Sequence, residues 1–189
     1  NISLAHTTAG YDTAMEAFSL GASQLTHMYN AMPPFTHRAP GPIGAAADTE
    51  HCMAELICDG VHIHPAVVRA TFKMFGDDKI ILISDSMRAA GMADGTYDLG
   101  GQAVTVKGSL ATLADGTIAG SVTNLMDCVR TAVKDMGIPL ASAVKCAALN
   151  PVKAIGLSED YGSLAPGKYA NIAILDKDLA LKQVIHRGT

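Results

Sequence analysis

Thr26-His27-Met28-Tyr29-Asn30-Ala31-Met32-Pro33 is the stretch on which the reading of this chain turns. A short apolar run, Ala22-Ser-Gln-Leu25, leads into it and reads as a brief buried strand that closes at His27. The Pro-rich segment from Pro33 to Pro42 follows at once and cannot continue as helix or central strand. A histidine at a strand end, ahead of a long restrained loop, is a common way to present a metal or substrate ligand. The plainer alternative is a buried histidine with satisfied ring nitrogens.

Working outward, the same grammar repeats. Upstream, Ile2-Ser-Leu-Ala5 is a short apolar run ending at His6. Thr7 and Thr8 can cap a helix whose apolar positions Ala14, Ala17, Phe18 and Leu20 fall at helical spacing, with Gly21 as its stop. Downstream, Cys52 to Cys58 reads as a third strand, followed by the Asp59-Gly60 turn and Val61-His-Ile-His64. Pro65 suits a helix start, and Ala66, Val67, Ala70 and Met74 give that helix an apolar face. Lys79-Ile-Ile-Leu-Ile-Ser84 is an unbroken apolar run of the kind found in parallel strands covered on both faces, and it stops at Asp85. The first half therefore reads β-α-β-loop-β-α-β, an α/β pattern, with His6, His27, His62 and Asp85 at or just beyond successive strands. In α/β folds, ligands bind at the carboxyl ends of strands.

From Gly91 to Gly120, glycines punctuate short β-rich pieces such as Ala103-Val-Thr-Val106, which predicts hairpins. Asn124 to Met136 is an amphipathic helix with Leu125, Cys128, Val129, Ala132, Val133 and Met136 on one face. A further helix runs from Pro139-Leu140 to about Leu149, before Asn150-Pro151. The end of the chain reads as a turn from Gly162, a strand to Leu175 and a last strand at Val184-Ile185. The 189 residues are 49% apolar and 17% charged, which argues for a globular chain rather than disorder. A net charge of −4 without any Lys/Arg run gives no footing to nucleic acid or an anionic membrane as partner, while a locally basic site for an anionic small ligand stays open. Cys52, Cys58, Cys128 and Cys146 form no C-x-x-C pair and read as reduced core residues of a cytoplasmic protein. The chain starts at Asn1 and runs straight into a strand, so a portion of a longer polypeptide is expected.

Leu4-Ala-His-Thr7, Thr26 to Pro33, Asp59-Gly-Val-His62 and Ile83-Ser-Asp85 together resemble the N-acetylglucosamine-6-phosphate deacetylase family of the amidohydrolase superfamily. Leu164-Ala-Pro-Gly-Lys-Tyr-Ala-Asn-Ile172 looks like that superfamily's return to a small β-sandwich. The resemblance covers nearly the whole chain. It implies the C-terminal part of a TIM-type (β/α)8 barrel, about four βα units over residues 1–160 with a hairpin insert at about 91–120, and part of the sandwich over 161–189. It assigns His6 and His27 as ligands of a divalent metal ion, zinc or iron. His62 becomes a substrate contact and Asp85 the catalytic carboxylate. Asn30, the Ala31 backbone and Arg38 become contacts to a phosphorylated amino sugar, with Arg38 reaching the neighbouring site of a homodimer. The family takes a third metal ligand, a glutamate, from an earlier strand, with a further active-site histidine nearby, and neither motif is present in this sequence. A full barrel takes eight strands and about 250 residues.

The chemistry suits these residue types. Amide hydrolysis at neutral pH needs a strong nucleophile, and a divalent ion draws the pKa of its water from 15.7 toward about 7. Asp85 would take that proton and pass it to the leaving amine. His62 would donate to a sugar hydroxyl or to the developing oxyanion, and Arg38 offers a bidentate fork for phosphate. Each has a plainer reading: Asp85 as a turn cap, Arg38 as a solvated loop charge, His62 as a satisfied core group. His62-x-His64 on a strand would put both rings on one face, a rival metal pair. His37, His51 and His186 read as surface residues. Two other functions stay open: another amidohydrolase acting on a cyclic amide or ureide, and a catalytically incomplete half-barrel that self-associates through its unpaired strand edges.

Overall fold

Parallel strands need a crossover between them, and the chain supplies one after each apolar run. The computed structural model, which describes residues 1–189, places β1 (Ser3–Leu4), β2 (Gln24–Leu25), β3 (Met53–Ile57) and β4 (Ile80–Ile83) in one parallel sheet in the order β1-β2-β3-β4. The crossovers carry α1 (Tyr11–Ser19), α2 (Gly41–Asp48) and α3 (Pro65–Phe75). Strands that advance in one direction with right-handed crossovers put every helix on the same face. Burial agrees: Leu25, Ala54, Leu56, Cys58, Ile80 and Leu82 join Ala14 and Phe18 of α1 and Val68 and Phe75 of α3 in one core. By the two-residue period, Glu55, Ile57, Ile81 and Ile83 face the other way. Beyond β4, the strands β5 (Gly95–Leu99), β6 (Gln102–Lys107) and β7 (Leu110–Thr112) form an antiparallel sheet with its own small core around Val104, Val106 and Ala111. Then α4 (Leu125–Lys134) lays Cys128, Val129 and Ala132 on the main core. The hairpin β8 (Ile172–Leu175) and β9 (Leu181–Ile185) ends the order. No helix is long and apolar enough to cross a membrane, and all four cysteines are free and buried.

Several local expectations change. No helix was expected between the Pro-rich loop and β3, yet α2 is there. Its Gly41, Pro42, Ile43, Gly44, Ala45 and Ala46 are all buried, so it shows no amphipathic stripe to read. Helix α1 is entered at Gly10 without a side-chain cap rather than from Thr7-Thr8, and Leu20 lies outside it, 78% exposed. Helix α3 turns the other way from the expected face: Val68, Thr71 and Phe75 are buried, while Ala66, Val67, Ala70 and Met74 are exposed. Thr71 can sit inside because its hydroxyl bonds the Val67 carbonyl at 2.9 Å and the Tyr29 hydroxyl at 2.6 Å. The expected helix stop at Leu149 is passed: α5 (Leu140–Val144) runs through a π turn (Lys145–Leu149) into α6 (Asn150–Ala154). The π turn ends two residues before Pro151, which has no N–H to give to a regular ladder.

The α3 face is open to a direct check. Val68→Ala should cost roughly 2 kcal/mol of unfolding free energy in urea, and Val67→Ala no more than about 0.5 kcal/mol.

Candidate active site

The two histidines at the ends of neighbouring strands meet. His6 follows β1 and His27 follows β2, and their Nε2 atoms stand 2.9 Å apart with the rings edge-on at 79°. The register Leu4 to Leu25 makes this meeting unavoidable once both chains turn the same way. They do turn the same way: His6, His27 and Asp85 all have left-handed backbone, with φ of 44°, 31° and 48°. Such values are uncommon for residues other than glycine and cost about 1–3 kcal/mol each. Three strand ends share this conformation, so each side chain is swung off the strand line and over the edge of the sheet. Below the histidines, Ser3 and Thr26 bond hydroxyl to hydroxyl and tie the two strand ends together. The Asp85 turn is held by the segment that returns from β7, where Ser121 donates its N–H to the Asp85 carbonyl at 2.9 Å and accepts from the Met87 N–H at 2.8 Å. Gly120, next to Ser121, has φ 54°, a left-handed backbone that favours glycine.

The turn after His27 folds on itself. The Asn30 amide donates to the carbonyls of His27 at 3.1 Å and Met28 at 3.3 Å. That leaves its carbonyl oxygen free, and the N–H of Ala31, at φ 50°, also has no partner in the chain. Asp85 is exposed and makes no hydrogen bond or ion pair with either imidazole. Arg38 lies on the exposed run 34–39 and makes no hydrogen bond or ion pair with the other expected site residues. His62 is enclosed, its ring held at Nδ1 by Asp59 at 2.7 Å. The strand geometry that would pair His64 with His62 is not formed: residues 61–63 form a bend, and His64 caps α3 by accepting the Ala66 N–H at 3.1 Å through Nδ1.

Two acidic residues escaped the sequence reading. Glu55 is the one charge in the apolar strand β3, a signal legible in the sequence, and it sits on the sheet face away from the helices. Its carboxylate faces the His27 N–H at 3.4 Å, and its carbonyl accepts from Met28 at 2.8 Å. Burial pushes the Glu55 carboxyl up, the His27 N–H and imidazole draw it partly down, and the nearby Asp85 charge adds to the rise. Asp59 had passed as a turn residue. Burial works to raise its carboxyl, but bonds from the His62 ring and from the His62 and Val61 N–H groups outweigh this and hold it below the usual carboxylate range.

Two imidazole nitrogens that approach to 2.9 Å are near the spacing of two ligands on one ion, since tetrahedral ligands at about 2.0–2.1 Å stand about 3.3 Å apart. His27 Nδ1 is buried without a partner in the chain, so the outer hydrogen bond that orients a metal-ligating histidine is not supplied by these residues. No group of three His, Cys, Asp or Glu side chains converges on one point, so these residues supply two ligands of a set.

The amidohydrolase family model matches residues 1–189. The chain belongs to the amidohydrolase family. Among its relatives, N-acetylglucosamine-6-phosphate deacetylase of Bacillus subtilis (strain 168) is 40% identical over 186 residues, covering 98% of this chain and 47% of that protein. N-acetylgalactosamine-6-phosphate deacetylase of Escherichia coli O157:H7 is 37% identical over 187 residues, covering 99% and 49%. This amidohydrolase thus spans about half the length of the curated relatives it matches. The crystal structure of N-acetylglucosamine-6-phosphate deacetylase from Pasteurella multocida superposes with a TM-score of 0.94 at 33% identity, over 98% of this chain and 49% of that one.

Glu55 has a pH signature with a definite sign. A carboxyl raised in the folded state stabilises fully below its unfolded value of about 4.3 and loses that contribution as pH rises through the folded value. Wild type should therefore gain stability relative to Glu55→Gln as pH is lowered from 7 toward 4, read by urea midpoints; a constant difference would mean Glu55 is not buried as an acid.

Proposed function

We propose that this amidohydrolase hydrolyses the N-acetyl amide of N-acetylglucosamine 6-phosphate to glucosamine 6-phosphate and acetate, in amino-sugar breakdown. The observation that carries the reading is the convergence of His6 and His27 through Nε2 at 2.9 Å on left-handed strand ends. The names borne by the relatives support the substrate class. In this reading the four-stranded sheet is part of a TIM-type (β/α)8 barrel over residues 1–160, with 161–189 belonging to a small β-sandwich.

His6 and His27 hold a divalent ion, zinc or iron by ligand type, in company with a third ligand. That ion, when bound, supplies an acidified water as nucleophile. Asp85 removes a proton from the attacking water and returns it to the amine as the C–N bond breaks. His62 meets a polar group of the sugar. The free Asn30 oxygen and Ala31 N–H offer neutral contacts, and Arg38 supplies the charge for the phosphate. Arg38 stands on an exposed loop, unpaired within its own chain, which suits a reach into the neighbouring site of a homodimer. Four reduced cysteines suit the cytoplasm.

A second reading keeps the chemistry and changes the sugar, because relatives named for the galactosamine epimer match about as well. Acetate release from the two 6-phosphates, assayed side by side with added zinc or ferrous iron, separates them by kcat/KM. Asp85→Asn should lower kcat by about 10²–10⁴-fold with metal content unchanged; unchanged turnover would remove Asp85 from the chemistry. His27→Gln should abolish stoichiometric metal. A wild-type protein that binds no metal and releases no acetate would instead make the chain a non-catalytic half. Arg38→Ala should weaken the phosphorylated substrate about tenfold or more and leave unphosphorylated N-acetylglucosamine untouched; equal loss on both would take the phosphate away from Arg38.

A further inference from the structure

Asp59 and His62 form a pair that the chemistry above leaves unexplained. Both side chains are nearly enclosed, 5% and 6% exposed, and Asp59 Oδ2 meets His62 Nδ1 at 2.7 Å. The other carboxylate oxygen, Oδ1, accepts the N–H groups of Val61 at 2.9 Å and His62 at 3.0 Å. The turn Asp59-Gly-Val-His62 is thus closed by one carboxylate on three donors. Gly60, at φ 80°, allows that tight return. The neighbours of Asp59 add no cation: Cys58 and Cys128 are close enough to feel its charge, and burial pushes the Cys128 thiol up to about 12 and the Cys58 thiol higher still, so both stay neutral.

An ionised carboxylate can only accept. Nδ1 of His62 must then carry the proton of the 2.7 Å bond. The other ring nitrogen, Nε2, makes no hydrogen bond in the chain. It is also not among the enclosed, unpartnered side-chain atoms, which are His27 Nδ1 and Asn150 Oδ1, so it opens to solvent. We propose that Asp59 is a positioning residue that locks His62 in the Nδ1–H tautomer, so that the neutral ring presents bare Nε2 as an acceptor for a hydroxyl of the bound sugar. The proposal deepens the deacetylase reading and rests on it for the identity of the hydroxyl donor. It departs from a donor role for His62, because a neutral ring with its one proton already given to Asp59 has none left for the ligand.

The substitution that separates this from simple structural support is Asp59→Asn. Its Oδ1 can keep both backbone N–H bonds, so the turn is retained. Its NH₂ then faces Nδ1 as a donor, which forces the proton to Nε2. The readout is the tautomer itself, from long-range ¹H–¹⁵N NMR of the labelled full chain, with the His62 signals assigned by their absence in His62→Gln. The expected result is a proton on Nδ1 in wild type and on Nε2 in Asp59→Asn. Titration with N-acetylglucosamine 6-phosphate should shift the wild-type Nε2 resonance, and Asp59→Asn should bind the sugar about tenfold more weakly. A wild-type ring protonated on Nε2, or a proton that stays on Nδ1 in Asp59→Asn, overturns the proposal. If Asp59→Asn does not fold, the wild-type tautomer alone decides the lock. A correct tautomer whose Nε2 resonance ignores the sugar overturns the acceptor role and the ligand contact of His62, while acetate release with a working Asp85 would leave the deacetylase reading standing.

Discussion

The parallel ladder between β1 and β2 is the constraint on which the rest depends. Leu4 opposite Leu25 sets the two strand ends level, and left-handed turns then send His6 and His27 over the same edge. One slip of register would turn the side chains of a strand to the opposite face and part the two imidazoles. The hydroxyl pair of Ser3 and Thr26 reinforces that register just below the site. The helices bear on it from the far side, since Leu25, Ala54 and Leu56 are buried against them.

Above this rigid layer, the site is assembled from turns, two held by groups from elsewhere and one from within. Glu55 on β3 supports the His27 turn through its carbonyl and faces it with its carboxylate. Ser121, returning from the β5–β7 sheet, holds the Asp85 turn. Asp59 holds His62 from within its own turn. Strained backbone persists only where its surroundings over-determine it, and here the surroundings are the neighbouring strand β3 and the segment that returns from β7. Charge follows the same layering. Acids beneath the site are buried or hydrogen-bonded, which displaces Glu55 upward and Asp59 downward, whereas Asp85 stays exposed, open to water and ligand.

The residues that remain apart are also informative. Arg38 and Asp85 make no hydrogen bond or ion pair with either histidine, and no group of three His, Cys, Asp or Glu side chains converges there. On the proposed reading, two ligands on one sheet edge need the others brought to the same point. The edge strands β1 and β4 each have one neighbour in this sheet, which leaves their outer ladders for further partners.

The amino-acid sequence by itself determined the α/β alternation, the four strand ends and the identity of the polar residues standing on them. It could do so because unbroken apolar runs such as Lys79 to Ser84, cut by Asp, Gly and Pro, are local signals. The tertiary structure alone decided which groups meet. Helix α2 was invisible because a helix buried all round has no stripe. The α3 face was misjudged because Thr71 can be buried only when Tyr29 and the Val67 carbonyl are there to satisfy it. Glu55 and Asp59 looked like a stray charge and a turn residue until the fold set one beneath His27 and the other against His62. Contacts across a parallel sheet join residues dozens of positions apart, and no local pattern records which pairs the register will bring together.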